Sequence, residues 1–314
     1  MGHFFHAVGV FFHHLTVVRW DMLGLAIACH GIKLLFRSYA WRAIVNYAYP
    51  HSKLKYRSAL GAYVAGVGVN SIVPARGGDV VKMFLARQRI EGGSYFTLAP
   101  TLVVETILDF VVASCFLGWA MAIGALPVHQ VYARLPTVDW KFFLRHDRVT
   151  IYFLIAFVII GIAGFVYARM RWDDFKARVG AGFSILLDRP VFLAQVIFPQ
   201  AISWIFRLGS LFFFLKAFHV PATIHNTLLV QEVDSLSTLF PASPGGAGTK
   251  QGLTEFLFHK SKISHTLLLA FSVGMNIAIV VANLVFGLIA IGLMARTLSF
   301  KRLRVASQAD HTTA

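Results

Sequence analysis

Long stretches without a single charged side chain limit this chain to one kind of fold. Residues 149–168 contain no Asp, Glu, Lys or Arg, and neither do residues 263–295. A helix needs about 20 predominantly apolar residues to cross the hydrocarbon core of a bilayer, and both stretches are long enough. Charged residues make up 14% of the chain, against roughly 25% in soluble domains. The sequence therefore predicts an all-α, polytopic integral membrane helix bundle.

Two short segments interrupt the apolar pattern with proline, glycine and polar residues. Residues 70–79 read NSIVPARGGD, and residues 240–248 read FPASPGGAG. Irregular backbone inside a membrane needs protein or a water-lined cavity to satisfy its N–H and C=O groups. Two such breaks, one in each half of the chain, are typical of a transporter with a binding site near the bilayer midplane. We therefore predict two opposed re-entrant hairpins, broken at these segments.

The sequence around the first break predicts how its two helices pack. Residues 58–75 are uncharged and rich in Gly and Ala, a composition that favours close helix contact over lipid contact. A short amphipathic helix is predicted over residues 79–90, with Asp79 as its N-cap. Lys82, Arg87 and Arg89 are expected on the polar side of that helix.

The distribution of Lys and Arg predicts the orientation of the chain. With both broken segments re-entrant, five complete spans remain, at about 21–38, 97–124, 149–169, 191–219 and 264–295. This topology leaves 18 Lys and Arg on one side and 8 on the other, and the more basic side faces the cytoplasm. We expect a multi-pass plasma-membrane protein with a cytoplasmic carboxyl terminus. Whether residues 58–75 re-enter or span fully stays open, and a full span would change the count.

Three segments follow from this pattern. Residues 1–19, which mix His with Phe and Val, are predicted to be an interfacial extension. Residues 20–296 form a single transmembrane domain, and residues 297–314 form a basic cytoplasmic tail. The net charge of +15 lies between apolar segments, where it meets anionic headgroups. We expect no nucleic-acid partner, because no soluble basic domain is present to bind one.

The two breaks carry a resemblance to a known family. The matching residues are Asn70, Pro74, Arg76, Gly78 and Asp79, followed by Pro241, Pro244, Gly245, Gly246 and Gly248. Shorter matches are YAWR at residues 39–42 and VVETILD at residues 103–109. Over about residues 20–296 the chain resembles the lysylphosphatidylglycerol synthase transmembrane-region family, which includes the flippase half of bacterial lysylphosphatidylglycerol synthases. Thr106 stands where relatives often carry Arg, and Gln251 stands where many carry Glu.

Arg76 is the leading candidate for contact with an anion. It lies beside Gly77 and Gly78, where the break is expected to free backbone amides, and a guanidinium offers phosphate a planar set of donors. The helix that follows would aim its N-terminus at the same place. The alternative is that Arg76 only pairs with a buried acid and holds the turn.

The second break offers a comparable set of groups. Its Ser and Gly residues can form a backbone nest for an anion, with Lys250 just beyond. Arg207 lies within a predicted span and either contacts a substrate phosphate or pairs with Glu232 or Asp234. The complete set of predicted substrate-binding residues is Asn70, Arg76, Gly77, Gly78, Asp79, Arg207, Ser243, Gly245, Gly246, Gly248 and Lys250.

Four acidic residues are candidates for charge balance or proton coupling: Glu105, Asp109, Glu232 and Asp234. Glu105 and Asp109 are four residues apart, so they share one helix face. A charge at the centre of a membrane helix is disfavoured by about 2.5–3.5 kcal/mol, so both carboxylates should face the bundle interior. The alternative to a coupling role is an internal salt bridge to Arg76 or Arg207.

The expected function is binding or translocation of an anionic phospholipid or of a polyprenyl-phosphate-linked headgroup. No nucleotide-binding motif is present, and we expect no cofactor, metal or catalytic residue. Two alternatives stay open: a membrane transferase acting on a lipid-linked sugar or headgroup, and a non-transporting accessory subunit of such a pathway. The expected partners are the membrane and its anionic lipid, together with either a second copy of the chain or a lipid-pathway enzyme.

Overall fold

The structure is a computed structural model that describes residues 17–73, 76–122, 172–239, 248–258, 261 and 263–312. Every regular element in these residues is helical, which confirms the predicted all-α fold. We number the helices α1 Trp20–Ala48, α2 Tyr56–Asn70, α3 Gly77–Arg87, α4 Tyr95–Ala122, α5 Trp172–Phe183, α6 Arg189–Phe192, α7 Phe198–Ala217, α8 Ile224–Leu239, α9 Thr249–Leu257 and α10 His265–Thr312. A 3₁₀ turn, Ser184–Leu187, precedes α6, and a π turn, Leu193–Ile197, joins α6 to α7.

Three described helices are long and apolar enough to cross a membrane. They cover Tyr95–Trp119, Arg189–Ala217 and His265–Met294, where the sequence predicts spans at 97–124, 191–219 and 264–295. The predicted span at 149–169 lies outside the described residues. The last helix continues to Thr312, so the predicted boundary at 296/297 falls within a helix. The cytoplasmic tail and the interfacial extension stay predictions.

Helix α1 lies at the centre of the described bundle and is longer than the predicted span at 21–38. Its 29 residues correspond to about 43 Å at a rise of 1.5 Å per residue. It packs against α7, where Ser210 Oγ donates to the Ala26 carbonyl at 2.8 Å. The helix continues past the predicted end at residue 38, because Trp41 and Ile44 in its second half are buried in the core.

Small residues bring α2 against two neighbours, as the composition of residues 58–75 predicts. A Cβ on Gly68 would lie 2.9 Å from Gly287 Cα, so α2 and α10 approach at backbone distance. On the other side, a Cβ on Gly66 would lie 2.7 Å from the Gly78 carbonyl oxygen of α3. Only residues without a side chain permit this separation.

The first break joins α2 to α3 as a helix–break–helix hairpin. Helix α3 begins at Gly77 and not at Asp79, and its N-cap is Arg76, which has a left-handed backbone (φ 60°). The Gly78 amide donates to Asn70 Oδ1 at 2.7 Å, which closes the hairpin at its base. At the second break, residues 240–247 lie outside the described residues, between α8 and α9. The re-entrant character of both hairpins stays a prediction.

Candidate functional site

Arg37 of α1 is the centre of a buried polar network. Its guanidinium donates to Tyr63 Oη at 2.7 Å, to Glu105 Oε1 at 2.8 Å and to Asp109 Oδ1 at 3.0 Å, and it makes a second contact with Asp109. The exposed fraction of its side chain is 11%. The predicted span at 21–38 places Arg37 at its end, whereas the structure places it within α1 and in this network. The available signal was its spacing from His30 and Lys33, which puts all three on one helix face.

Lys82 of α3 is the second correction. The sequence predicts it on the polar side of an amphipathic helix, yet it is 4% exposed. Its ammonium lies 2.8 Å from Glu105 Oε2 and 3.9 Å from the ring centroid of Tyr63. Lys82 lies one helical turn after Gly78, whose close approach to Gly66 carries this face of α3 into the bundle interior.

Glu105 and Asp109 both face the interior from α4, as their spacing predicts. Glu105 accepts from Arg37, Lys82 and also Tyr63 Oη, at 2.5 Å. Asp109 also accepts from Gln200 Nε2 of α7 at 3.2 Å. The predicted alternative of internal salt bridges has the right chemistry but the wrong cations, since these are Arg37 and Lys82. Two cations face two carboxylates, so this network is balanced in charge.

A polar cavity of about 150 Å³ adjoins this network and reaches the first break. Three of the predicted substrate-binding residues, Asn70, Arg76 and Asp79, line it. Arg76 is exposed, and its Nη1 donates to Thr106 Oγ1 at 3.1 Å. The hydroxyl of Thr106 is therefore a partner of the Arg76 guanidinium. The Gly78 amide, predicted to be free for an anion, instead donates to Asn70.

A second polar cavity, of about 250 Å³, lies among α1, α2, α7, α8, α9 and α10. It brings together Arg207 and Lys250, two predicted substrate-binding residues, with Asp234. Lys250 Nζ lies 2.9 Å from Asp234 Oδ1, and Arg207 Nη2 lies 3.7 Å from Asp234 Oδ2. Arg207 therefore pairs with one of its two predicted partners. The other, Glu232, is fully buried, and its carboxylate has no hydrogen-bond partner among the described residues.

Lys33 adds a third basic group to the second cavity, and sequence reasoning gave it no role. Its Nζ lies 3.1 Å from His30 Nδ1. His30 Nε2 donates to Asn283 Oδ1, which can only accept, so Nδ1 of the neutral ring accepts from Lys33. Arg37 also lines this cavity, but Glu105 and Asp109 balance its charge. The other three basic side chains, Lys33, Arg207 and Lys250, share the cavity with a single carboxylate, Asp234.

The two cavities adjoin. Arg37, Tyr63 and Val67 line both of them. Asn70 and Arg76, which flank the first break, line the first cavity, and Lys250, which follows the second break, lines the second cavity. Residues beside the two breaks therefore line adjoining cavities.

The residues predicted to form the backbone nest are only partly described. Ser243, Gly245 and Gly246 lie outside the described residues. Gly248 is exposed and has a positive φ of 83°. Its amide donates to Gln251 Oε1 at 2.6 Å, so Gln251 caps the start of α9 in the position where many relatives carry Glu.

Asn283 joins three helical segments through hydrogen bonds. Its Oδ1 accepts from His30 Nε2 at 2.7 Å, and its Nδ2 donates to Ser71 Oγ at 3.1 Å. It is 7% exposed. Asn283 therefore connects the second cavity to the end of α2 beside the first break.

Replacing Asn283 with alanine is expected to lower the free energy of unfolding by about 1–2 kcal/mol, because His30 and Ser71 lose a buried partner. Thermal unfolding of purified protein in detergent measures this change. Asn276→Ala is the matched control, since Asn276 lies seven residues earlier on α10 and is 8% exposed. Equal losses in the two variants would contradict the linking role of Asn283.

No set of three or more His, Cys, Asp and Glu side chains suited to a metal ion occurs among the described residues. In comparisons with known proteins, residues 5–287 match a family model described as Lysylphosphatidylglycerol synthase TM region. The matched range contains both breaks and every polar residue described above. No curated protein and no solved structure gives a significant match.

Proposed function

The chain belongs to the Lysylphosphatidylglycerol synthase TM region family of integral membrane proteins, and from this we propose that it binds an anionic lipid by its headgroup and moves it between leaflets. The substrate class is a phospholipid or another lipid with a phosphate-containing headgroup. The observation that carries the proposal is the second cavity, where three basic side chains besides Arg37 share the bundle interior with one lining carboxylate.

The charges that line this cavity favour an anion as its ligand. Charged groups inside a membrane bundle need partners, and Asp234 alone is shared by Arg207 and Lys250. The hydrogen bond from Arg207 Nε to Gln231 Oε1, at 2.6 Å, uses one of its five N–H donors. A phosphate in the cavity would accept from Arg207 and complement Lys33, whose described partner is a neutral histidine.

The two adjoining cavities suggest a path for the headgroup. A phosphate held by Arg207 and Lys33 would lie next to the first cavity, where Arg76 lines the wall. Arg37 and Tyr63 separate the two positions. Glu105 and Asp109 are engaged by Arg37 and Lys82, so we assign them to holding this partition and leave charge coupling to Asp234 and Glu232.

Neutralising Arg207 is expected to slow exchange of anionic lipid between leaflets. A hydrogen bond to a charged group contributes about 1.5–3 kcal/mol, so Arg207→Gln should reduce the rate by roughly 10- to 100-fold. The assay follows fluorescent phosphatidylglycerol in proteoliposomes, with a quencher of the outer leaflet. Lys216→Gln is the control, because Lys216 is an exposed cation on the same helix and lines neither cavity.

Three outcomes would contradict the proposal. Equal exchange by both variants would remove Arg207 from the site. A chemical change in the lipid headgroup would indicate the transferase. Wild-type protein that exchanges no lipid but retains a partner protein on purification would indicate the accessory subunit.

Replacing Arg76 with glycine tests the role of its guanidinium separately from the role of its left-handed backbone. Glycine adopts a positive φ without the steric cost that other residues have, so Arg76→Gly should keep the thermal stability of the wild type or raise it by about 1 kcal/mol. If Arg76 contacts the headgroup, the amount of anionic lipid that co-purifies should fall. Mass spectrometry of extracted lipid measures this, and retention equal to that of the wild type would exclude Arg76 from the site.

A further inference from the structure

A deep apolar groove lies between α1, α2 and α10, apart from the two polar cavities. Its volume is about 1140 Å³, which exceeds the roughly 300–1,000 Å³ of pockets for drug-sized ligands. Side chains that are partly exposed form its walls, among them Leu35, Ile289 and Leu293. The groove is therefore open on the outer surface of the bundle, where a membrane protein meets lipid.

The residues at one end of the groove are basic. Lys55 and Arg57 line it where the α1–α2 loop leads into α2, and both are exposed. Arg89 lines the same end and donates to the Met294 carbonyl at 3.1 Å. No Asp or Glu is among the lining residues. A long apolar surface that ends in basic side chains is complementary to a lipid with a negatively charged headgroup.

The groove and the second cavity share one lining residue. Leu34 lines both. On the same stretch of α1, Gly31 and Leu35 face the groove, whereas His30 and Lys33 face the cavity. An occupant of the groove would therefore lie beside the proposed headgroup site without entering it.

We infer that this groove binds one anionic glycerophospholipid, with its acyl chains along α2 and α10 and its phosphate on Lys55 and Arg57. The lipid class rests on the proposed function. The groove would be a second binding position for that lipid, outside the polar cavities. The predicted topology places Lys55 and Arg57 on the cytoplasmic side, where anionic lipids attract basic residues. Leu34 is the barrier between this outer position and the inner cavity.

Photo-crosslinking tests the site directly. The full chain is reconstituted in phosphatidylcholine vesicles that contain phosphatidylglycerol with a photoreactive acyl chain, and labelled peptides are identified by mass spectrometry. We expect label on residues 57–64 and 286–294. Lys55→Gln combined with Arg57→Gln should lower this labelling by about 30-fold, since each basic residue near an anionic lipid contributes about fivefold.

Two further variants complete the experiment. Lys53→Gln combined with Arg178→Gln removes the same charge from exposed residues that do not line the groove, and it should leave labelling unchanged. Ile289→Trp fills the groove from a residue that is 56% exposed, so it should reduce labelling without disturbing the core.

Several results would overturn the inference. These are label spread evenly over the outer surface, equal labelling by a phosphatidylcholine probe, or a crosslinked second copy of the chain in the groove. Arg207→Gln separates this inference from the proposed function, because it should slow lipid exchange and leave labelling of the groove intact. Labelling that persists in a wild type without exchange would refute only the proposed function.

Discussion

Glu105→Gln is expected to lower the free energy of unfolding by about 3–5 kcal/mol, the cost of breaking a buried ion pair by removing one partner. Glu105 accepts from both Arg37 and Lys82. Lys82 is 4% exposed, so its ammonium cannot turn to water once the carboxylate is gone. Thermal or chemical unfolding in detergent measures the loss.

Two variants test whether uncompensated charge is the cause. Adding Lys82→Met to Glu105→Gln removes the stranded ammonium and should recover part of the loss, since Arg37 keeps Asp109. Asp109→Asn should cost less than Glu105→Gln, because the Asp109 side chain is 26% exposed and Arg37 keeps Glu105. A double variant that is less stable than Glu105→Gln alone would contradict the explanation.

Gly78→Ala is expected to destabilise the first hairpin by about 3 kcal/mol, at the upper end of the cost of overpacking. The new Cβ would overlap the Gly66 carbonyl oxygen and lie 2.8 Å from the backbone nitrogen of Asn70. Both contacts are with backbone, so no side chain can move aside and α2 and α3 must separate. That separation would also move Lys82 of α3 relative to Glu105 of α4, with which it pairs.

Gly252→Ala is the matched control for this substitution. Gly252 lies within α9, and a Cβ there would meet nothing within 4 Å. Alanine is the better helix former by about 0.8–1.0 kcal/mol, so this variant should be slightly more stable than the wild type. Unfolding curves of the two variants, recorded in the same detergent, give the comparison. Similar midpoints for the two variants would show that the contact between Gly66 and Gly78 is not tight.

The parts of the site that sequence reasoning found share a local signal. Glu105 and Asp109 are recognisable because two acids at helical spacing inside an apolar helix have to face the interior. Arg207 is recognisable because it too is a charged residue inside an apolar helix. The first break is evident from its Pro and Gly residues, since the backbone chemistry of these residues does not depend on the rest of the fold.

The site residues that the sequence prediction misses include basic residues near the ends of the predicted helices. Lys and Arg in such positions usually extend to the membrane surface, so Arg37 and Lys82 were counted with the cytoplasmic cations. The structure buries both. Without Arg37 and Lys82, the predicted topology leaves 16 Lys and Arg on the cytoplasmic side and 8 on the other, so the predicted orientation does not change.

Hydrophobic length and backbone chemistry are properties of the chain itself, so the sequence alone determined an all-helical membrane protein with two broken segments. Only the tertiary structure decided which cation meets which acid, that Lys33 joins Arg207 and Lys250, and that an apolar groove ends at Lys55 and Arg57. These pairings depend on how each helix is rotated about its axis and on which neighbour it contacts. Packing between residues far apart in the chain sets both, and apolar composition leaves both undetermined.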